Sequence, residues 1–260
     1  LSTKNIHEIK SHWYSSIYEQ NETQTEDIDC LLAVIGSQPR TILEVCCGGG
    51  RILVPLAKPG HHVHGFDIDA DMLAYLPAKT QGICNLTWEQ KDMLQDDWGG
   101  PYDTVVLAGN IMINIITPGD YAQAQRDMLR KARKALRNGG VIYLDFDCHA
   151  HPECIFNSQR ERVIFEGTDD LGVYGKYIGC GGTYDPSTQI ASGNNRTELT
   201  LPDGSQQIHY GTYSKHIPTL EQVHGWLKEI GFVIQEEYGD YARNPISEKT
   251  HKAIIIAKKG

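Results

Sequence analysis

The sequence predicts an α/β fold built on a doubly wound parallel sheet. Three observations carry it. Short apolar strands alternate with helical stretches over residues 41–146; the first strand runs into a tight loop of small residues, Cys46-Cys47-Gly48-Gly49-Gly50; and the second strand ends in an acid, Asp67. Such alternation marks strands joined by crossover helices, and a loop of small residues lets a ligand approach the backbone at the N-terminus of the next helix.

The opening segment sets Ile6, Trp13, Tyr14, Ile17 and Tyr18 at near-helical spacing. A second helix follows over 27–35, with Thr25 or Glu26 near its start. The aromatic residues of the first helix read either as packing or as a lid over a ligand. Strands are expected at 41–45, 62–66, 86–90, 104–108 and 141–146, with helices at 51–58, 70–77 and 121–136 between them. Asn138-Gly139-Gly140 signals a helix end and a turn before the fifth strand. Beyond 146 the alternation stops. Residues 160–214 hold β-rich segments, RVIFEG and VYGKYIG, with turn signals at GCGG, YDP and PDG, which reads as an antiparallel insertion. A helix at 219–230, with Gly231 behind it, leads to the closing strands FVIQEEY and HKAIIIAKK. The expected organisation is a helical lid at 1–40, a core at 41–148 and 215–260, and a β-rich cap at 149–214.

Composition narrows the function. A formal charge of −9, with no concentrated Lys/Arg surface, disfavours nucleic acid. RKARKALR reads as the solvated face of a helix. No run approaches the roughly 20 apolar residues of a membrane helix, and LSTKNIHEIK lacks a signal-peptide core, so a cytoplasmic protein without a membrane partner is expected. Seven cysteines without CxxC spacing suggest reduced thiols. No heptad pattern announces an oligomer.

The loop CCGGGR gives neither GxGxxG nor GK[ST], which removes the dinucleotide fingerprint and the P-loop. Asp67 stands where doubly wound folds place an acid against ribose hydroxyls, and Asp92 follows the third strand at the same edge. Together they suit an adenosine ligand; each also reads as a cap for the helix or turn that follows.

LEVCCGGGR resembles motif I of the class I S-adenosylmethionine-dependent methyltransferases, with Cys46 where the family usually has glycine and Glu44 for the commoner Asp. HGFDIDADML is similar to their second motif and QKDML to their third. YDTVVLAGNIMINI, LRNGGVIYLDF and TLEQVHGWLKEIGFVIQEEYGDY resemble the fourth-strand, fifth-strand and late helix-and-strand motifs. The resemblance implies a Rossmann-like, seven-stranded sheet with S-adenosylmethionine as methyl donor. It implies Asp67 on the ribose, Met72 beneath the adenine and Asp92 at the adenine amino group. Further contacts implied are Tyr14, Glu44, Cys46, Cys47, Gly48, Gly50, Arg51, Ile68, Met93, Gly109 and Asn110. WYSSIYEQ is similar to the N-terminal lid of small-molecule N-methyltransferases, including those acting on amino-sugars. The acceptor implied is therefore a small molecule methylated at nitrogen; methylation at oxygen or carbon, or a non-catalytic cofactor-binding module, are the alternatives.

On the same resemblance Asn110, Met112, Asn114, Asp147 and His149 line the acceptor side, with Tyr14 and Tyr18 from the lid. His149 is the one obvious base. Each has a second reading: Tyr14 as packing, Asn114 as a turn former, His149 as an exposed loop histidine. The run DFDCHAHPEC over 145–154 carries Asp, Cys and His, yet no second ligand cluster of comparable spacing accompanies it, and no metal is expected.

Overall fold

Residues of opposite parity along each strand face opposite sides of a sheet, and the sequence is apolar on both. In this computed structural model, which describes residues 6–19, 25–248 and 250–260, β1 (Thr41–Val45) sends Leu43 and Val45 to one buried cluster and Ile42 to another. The same split divides Val105 and Leu107 from Val106 on β4 (Tyr102–Leu107), and Ile142 and Leu144 from Tyr143 on β5 (Leu136–Asp147). With β2 (His62–Asp67) and β3 (Leu86–Gln90) these strands pair in parallel. The antiparallel β10 (Phe232–Tyr238) and β11 (Lys252–Lys259) complete the order β10-β11-β5-β4-β1-β2-β3. This is the Rossmann-like seven-stranded sheet that the sequence predicts. Its order reverses between β1 and β4, and such a switch point opens a crevice at the carboxyl ends of the strands.

Helices cover both faces. α2 (Glu26–Ile35) and α3 (Leu53–Ala57) contribute Leu31, Ile35, Leu53 and Leu56 to one cluster. The other takes Met128, Leu129 and Ala132 from α6 (Tyr121–Ala135) and Val223 and Leu227 from α8 (Leu220–Ile230). The helix expected at 70–77 is two short ones, α4 (Ala70–Leu73) and α5 (Leu76–Lys79). Pro77 has no N–H to donate and disfavours the helical region for the residue before it, so it sits in the first turn of a new helix. The expected turn at Asn138-Gly139-Gly140 falls inside β5 as an irregularity. Leu136 pairs with Tyr102 and Val141 with Thr104, and Gly139 takes φ +72° to absorb the extra chain.

The chain divides into two units: the described residues of 1–23 with 151–217, and those of 24–150 with 218–260. The first holds α1 (Ile6–Glu19), α7 (Pro152–Phe156) and a four-stranded antiparallel sheet, β6 (Arg162–Thr168), β7 (Tyr174–Asp185), β8 (Ile190–Thr200) and β9 (Gln206–His216). Trp13, wholly buried, anchors it by donating Nε1–H to the Gly167 carbonyl at 3.0 Å. Its ring packs over Gly175, where a Cβ would come within 2.4 Å. α1 thus groups with the insertion and α2 with the sheet. No described helix is long and apolar enough to cross a membrane.

Candidate functional site

The turn after β1 is set by backbone conformations that favour glycine. Gly48 and Gly50 take φ +52° and +88°, and a Cβ on Gly50 would stand 2.3 Å from Leu76 Cδ2. Cys46 adopts φ +58° despite its side chain, at a strain of about 1–2 kcal/mol. Its Sγ lies 3.8 Å from Met93 Sδ. Cys47 is buried beside Gly65 in the core, so only its backbone belongs to the turn. Burial, with the Asp67 and Glu44 carboxylates nearby, pushes the Cys46 thiol up to about 12. The Cys47 thiol is raised further by burial and by Glu44. Both thiols are therefore neutral and poor nucleophiles at physiological pH.

Asp67 closes this turn from β2. Its Oδ2 accepts from Gly48 N at 2.9 Å and its Oδ1 from Asp69 N at 2.8 Å. Capping of α4 falls to Asp69, which accepts from Asp71 N and Met72 N. Each oxygen of Asp67 thus keeps acceptor capacity for a further donor. Burial raises the Asp67 carboxyl above its ordinary value, opposed by the N–H groups of Asp69 and Gly48. Beside it Ile68 is 60% exposed, and Met72 lies at the turn, its Cε 3.2 Å from where a Gly48 Cβ would stand. For Asp92 the capping reading is realised: Oδ1 accepts from Leu94 N at 2.7 Å and Gln95 N at 3.3 Å.

The loop after β4 is stapled to β5. Gly109 and Asn110 take consecutive positive φ, +70° and +65°, and turn both N–H groups onto Asp145 Oδ1, at 2.9 and 3.3 Å. Asn110 also exchanges two bonds with Asp147: Nδ2 donates to Oδ2 at 2.9 Å and Oδ1 accepts from Asp147 N at 2.7 Å. Lys252 donates to Asp147 Oδ1 at 2.6 Å and stands 5.3 Å from the Tyr241 ring centroid. Asp145 is fully buried, and burial pushes it up to about 6 against the pull of Lys252 and the two N–H groups, with Asp27 adding to the rise. Burial lowers His149, whose ring neighbours that of His251 at 6.3 Å, so its imidazole is neutral near pH 7.

Glu44, Cys46, Gly48, Gly50, Asp67, Ile68, Met72 and Met93 therefore gather at one edge of the sheet. Arg51 is engaged by Asp27 of α2 through two bonds of 3.1 and 2.5 Å, a partner that sequence reading missed. Gly109 and Asn110 direct their N–H groups into the protein, the Asn110 side chain is engaged by Asp147, and the Asn110 carbonyl accepts from Ile113 N and Asn114 N at 3.1 Å. Met112 is a correction: it is wholly buried in the core, because the Asn110–Asn114 turn folds its apolar side inward. Asn114 is exposed on that turn, its N–H bonded to Asn110 O at 3.1 Å. In the other unit, Tyr14 packs edge-on against Phe165 and Tyr177, at 5.2 and 5.7 Å. The Tyr18 side chain lies outside the described residues. His151 is exposed and pairs with Glu153 at 3.3 Å. Among the described residues no three donors of the 145–154 run converge; the group that does is His12, Asp169 and Asp170.

Sequence comparison agrees with this geometry: residues 42–140 match a family described as methyltransferase domain. Over this stretch the chain resembles a methyltransferase domain. A Geobacillus sp. (strain WCH70) protein, GWCH70_2453, whose own naming as a methyltransferase is provisional, is 23% identical over 266 residues, 97% of this chain and 99% of that protein. A S-adenosylmethionine-dependent methyltransferase from Clostridium acetobutylicum superposes with a TM-score of 0.74 at 15% identity, over 98% of this chain and all of that one. CalS10, an amino pentose methyltransferase from Micromonospora echinaspora, gives 0.69 at 15% identity, over 95% and 96% of the two chains. These likenesses run over nearly the whole length of both chains in each case.

Proposed function

We propose that the protein transfers a methyl group from S-adenosylmethionine to a small molecule, at nitrogen. The observation that carries the donor is the Asp67 carboxylate, tied to Gly48 N–H across the glycine turn at the switch point, with acceptor capacity left for two ribose hydroxyls. Ile68 and Met93 offer apolar and thioether surface for a flat base. The positive-φ turn over Cys46, Gly48 and Gly50 lets a ligand lie against backbone. Asp67, Ile68, Met72 and Met93 would hold the adenosine end.

When bound, the donor supplies an electrophilic methyl carbon on sulfur. What remains for this chain is to align the acceptor's lone pair with that carbon, exclude water and take one proton from the methylated amine. The neutral imidazole of His149, beside Asp147 and His251, can accept that proton. The choice of nitrogen rests on the resemblance of WYSSIYEQ to the lid of small-molecule N-methyltransferases, and the likeness to CalS10, an amino pentose methyltransferase, spans the insertion as well as the core. The acidic chain, at a formal −9, favours a small acceptor over nucleic acid.

Labelled S-adenosylmethionine with a panel of amino-sugars, phenols and catechols tests the reading by mass spectrometry. Label on an amine supports it, and label on phenolic oxygen alone rejects the nitrogen assignment.

A further inference from the structure

The reversal between β6 and β7 is built on one carboxylate. Asp169 follows the last residue of β6, and its Oδ1 accepts from Leu171 N at 2.9 Å and Val173 N at 2.8 Å. Its backbone joins in: Asp169 N donates to Val173 O at 3.0 Å and its carbonyl accepts from Gly172 N at 3.1 Å. One carboxylate oxygen therefore closes the turn. The other, Oδ2, has no hydrogen-bond partner among the described residues, although the Asp169 side chain is 0% exposed. A buried carboxylate oxygen without a donor is costly unless a cation answers it.

That oxygen faces α1. His12 Nε2 stands 4.0 Å from Asp169 Oδ2 and 2.6 Å from Asp170 Oδ1, and the three donors lie within 4.8 Å of one another. An imidazolium at these distances hydrogen-bonds Asp170 and not Asp169, whereas a divalent ion between them would answer both carboxylates. Donor atoms on one tetrahedral ion at about 2.1 Å stand about 3.4 Å apart, and the separations of 2.6 and 4.0 Å bracket that value. One imidazole with two carboxylates suits a borderline transition ion, since Ca²⁺ and Mg²⁺ take oxygen ligands and the soft ions take thiolate. We infer that His12, Asp169 and Asp170 form a binding site for a divalent transition-metal ion of the zinc class, which ties α1 to the β6–β7 turn.

Two of the three ligands are held in advance. The Asp169 carboxylate is oriented by the two N–H groups on its Oδ1, and His12 by its neighbour Trp13, whose Nε1–H reaches the Gly167 carbonyl of β6. Asp170 is 64% exposed and free to swing onto the ion, and solvent at that side completes the coordination. The same helix carries Tyr14 against Phe165 and Tyr177, so the ion would fix an aromatic-bearing helix on its sheet. The site lies wholly within the unit of α1 and the four-stranded sheet and is independent of the methyl-donor reading.

The test is calorimetry of the full chain with zinc chloride, on wild type, Asp169→Asn and His12→Ala. Asp169→Asn keeps an oxygen to accept from Leu171 and Val173 N–H and puts an amide nitrogen, which does not ligate, in place of Oδ2. The turn is retained and the ligand is lost, so this variant carries the test if His12→Ala fails to fold. Wild type is expected to bind zinc in the micromolar range, and each variant to bind it at least about tenfold more weakly. Zinc is expected to raise the melting temperature of wild type and to leave that of each variant unchanged. Absence of zinc binding by wild type at submillimolar metal overturns the inference. So does wild-type affinity in either variant, which would place the ion on other residues.

Discussion

Asp145→Asn should change the pH dependence of stability in a direction that the buried carboxyl dictates. Burial raises its folded-state value from an ordinary 3.8 to about 6, with Lys252 and the N–H groups of Asn110 and Gly109 opposing and Asp27 adding to the rise. A raised carboxyl binds its proton more tightly when folded. Below pH 3.8 both states are protonated and the group imposes no penalty; stability is then lost as pH rises to about 6, and the full penalty persists above that. The two values differ by about 2, which at about 1.4 kcal/mol per pH unit is about 3 kcal/mol. Asparagine does not titrate, so the variant lacks this term, and all other groups cancel in the comparison. Urea melts of both proteins from pH 4 to 7 should show the variant gaining about 2 kcal/mol of this relative to wild type over that interval. Parallel stability curves would refute the assignment of a buried, ionising Asp145.

Three further outcomes follow from the packing. Gly50→Ala should cost about 1–3 kcal/mol in chemical denaturation, because its Cβ meets Leu76 Cδ2 at 2.3 Å. Gly60→Ala, at φ +98° with nothing within 4 Å, carries the backbone term alone and should cost less. Cys46→Gly relieves φ +58° and should raise the melting temperature by a few degrees, on the scale of about 1 kcal/mol in a chain of this size; a fall would show that the Met93 contact outweighs the strain. Trp13→Ala should destabilise the unit that contains the four-stranded sheet by about 3–5 kcal/mol, seen as loss of protease resistance in β6 and β7.

The sheet was legible in the sequence because its signals are local. Apolar runs of five or six residues, a glycine turn and an acid at the end of β2 each declare themselves within a short window, and their order fixes the topology. Helix limits were less legible: Pro77 breaks a stretch whose apolar spacing continues through it, so α4 and α5 read as one. Met112 looked like a cleft residue because it follows β4, and only the turn that folds Ile111, Met112 and Ile113 inward shows otherwise. The partners of the site were hidden for a different reason. Asp145 stands in an apolar strand, where one acid breaks no period, and its two donors come from another loop. Lys252 lies 105 residues from Asp147 in sequence, and Arg51 meets Asp27 across 24. Such pairs become visible only when the chain is folded.

On the proposed function the Asp67-closed glycine turn holds the adenosine end of S-adenosylmethionine. Calorimetric titration of wild type and Asp67→Ala with S-adenosylmethionine tests it most directly. Wild type should bind, and the variant should bind more weakly by about 1.5–3 kcal/mol, roughly 10- to 150-fold, the worth of hydrogen bonds to a charged group. No binding by wild type at millimolar ligand, or equal affinity in the two proteins, contradicts it.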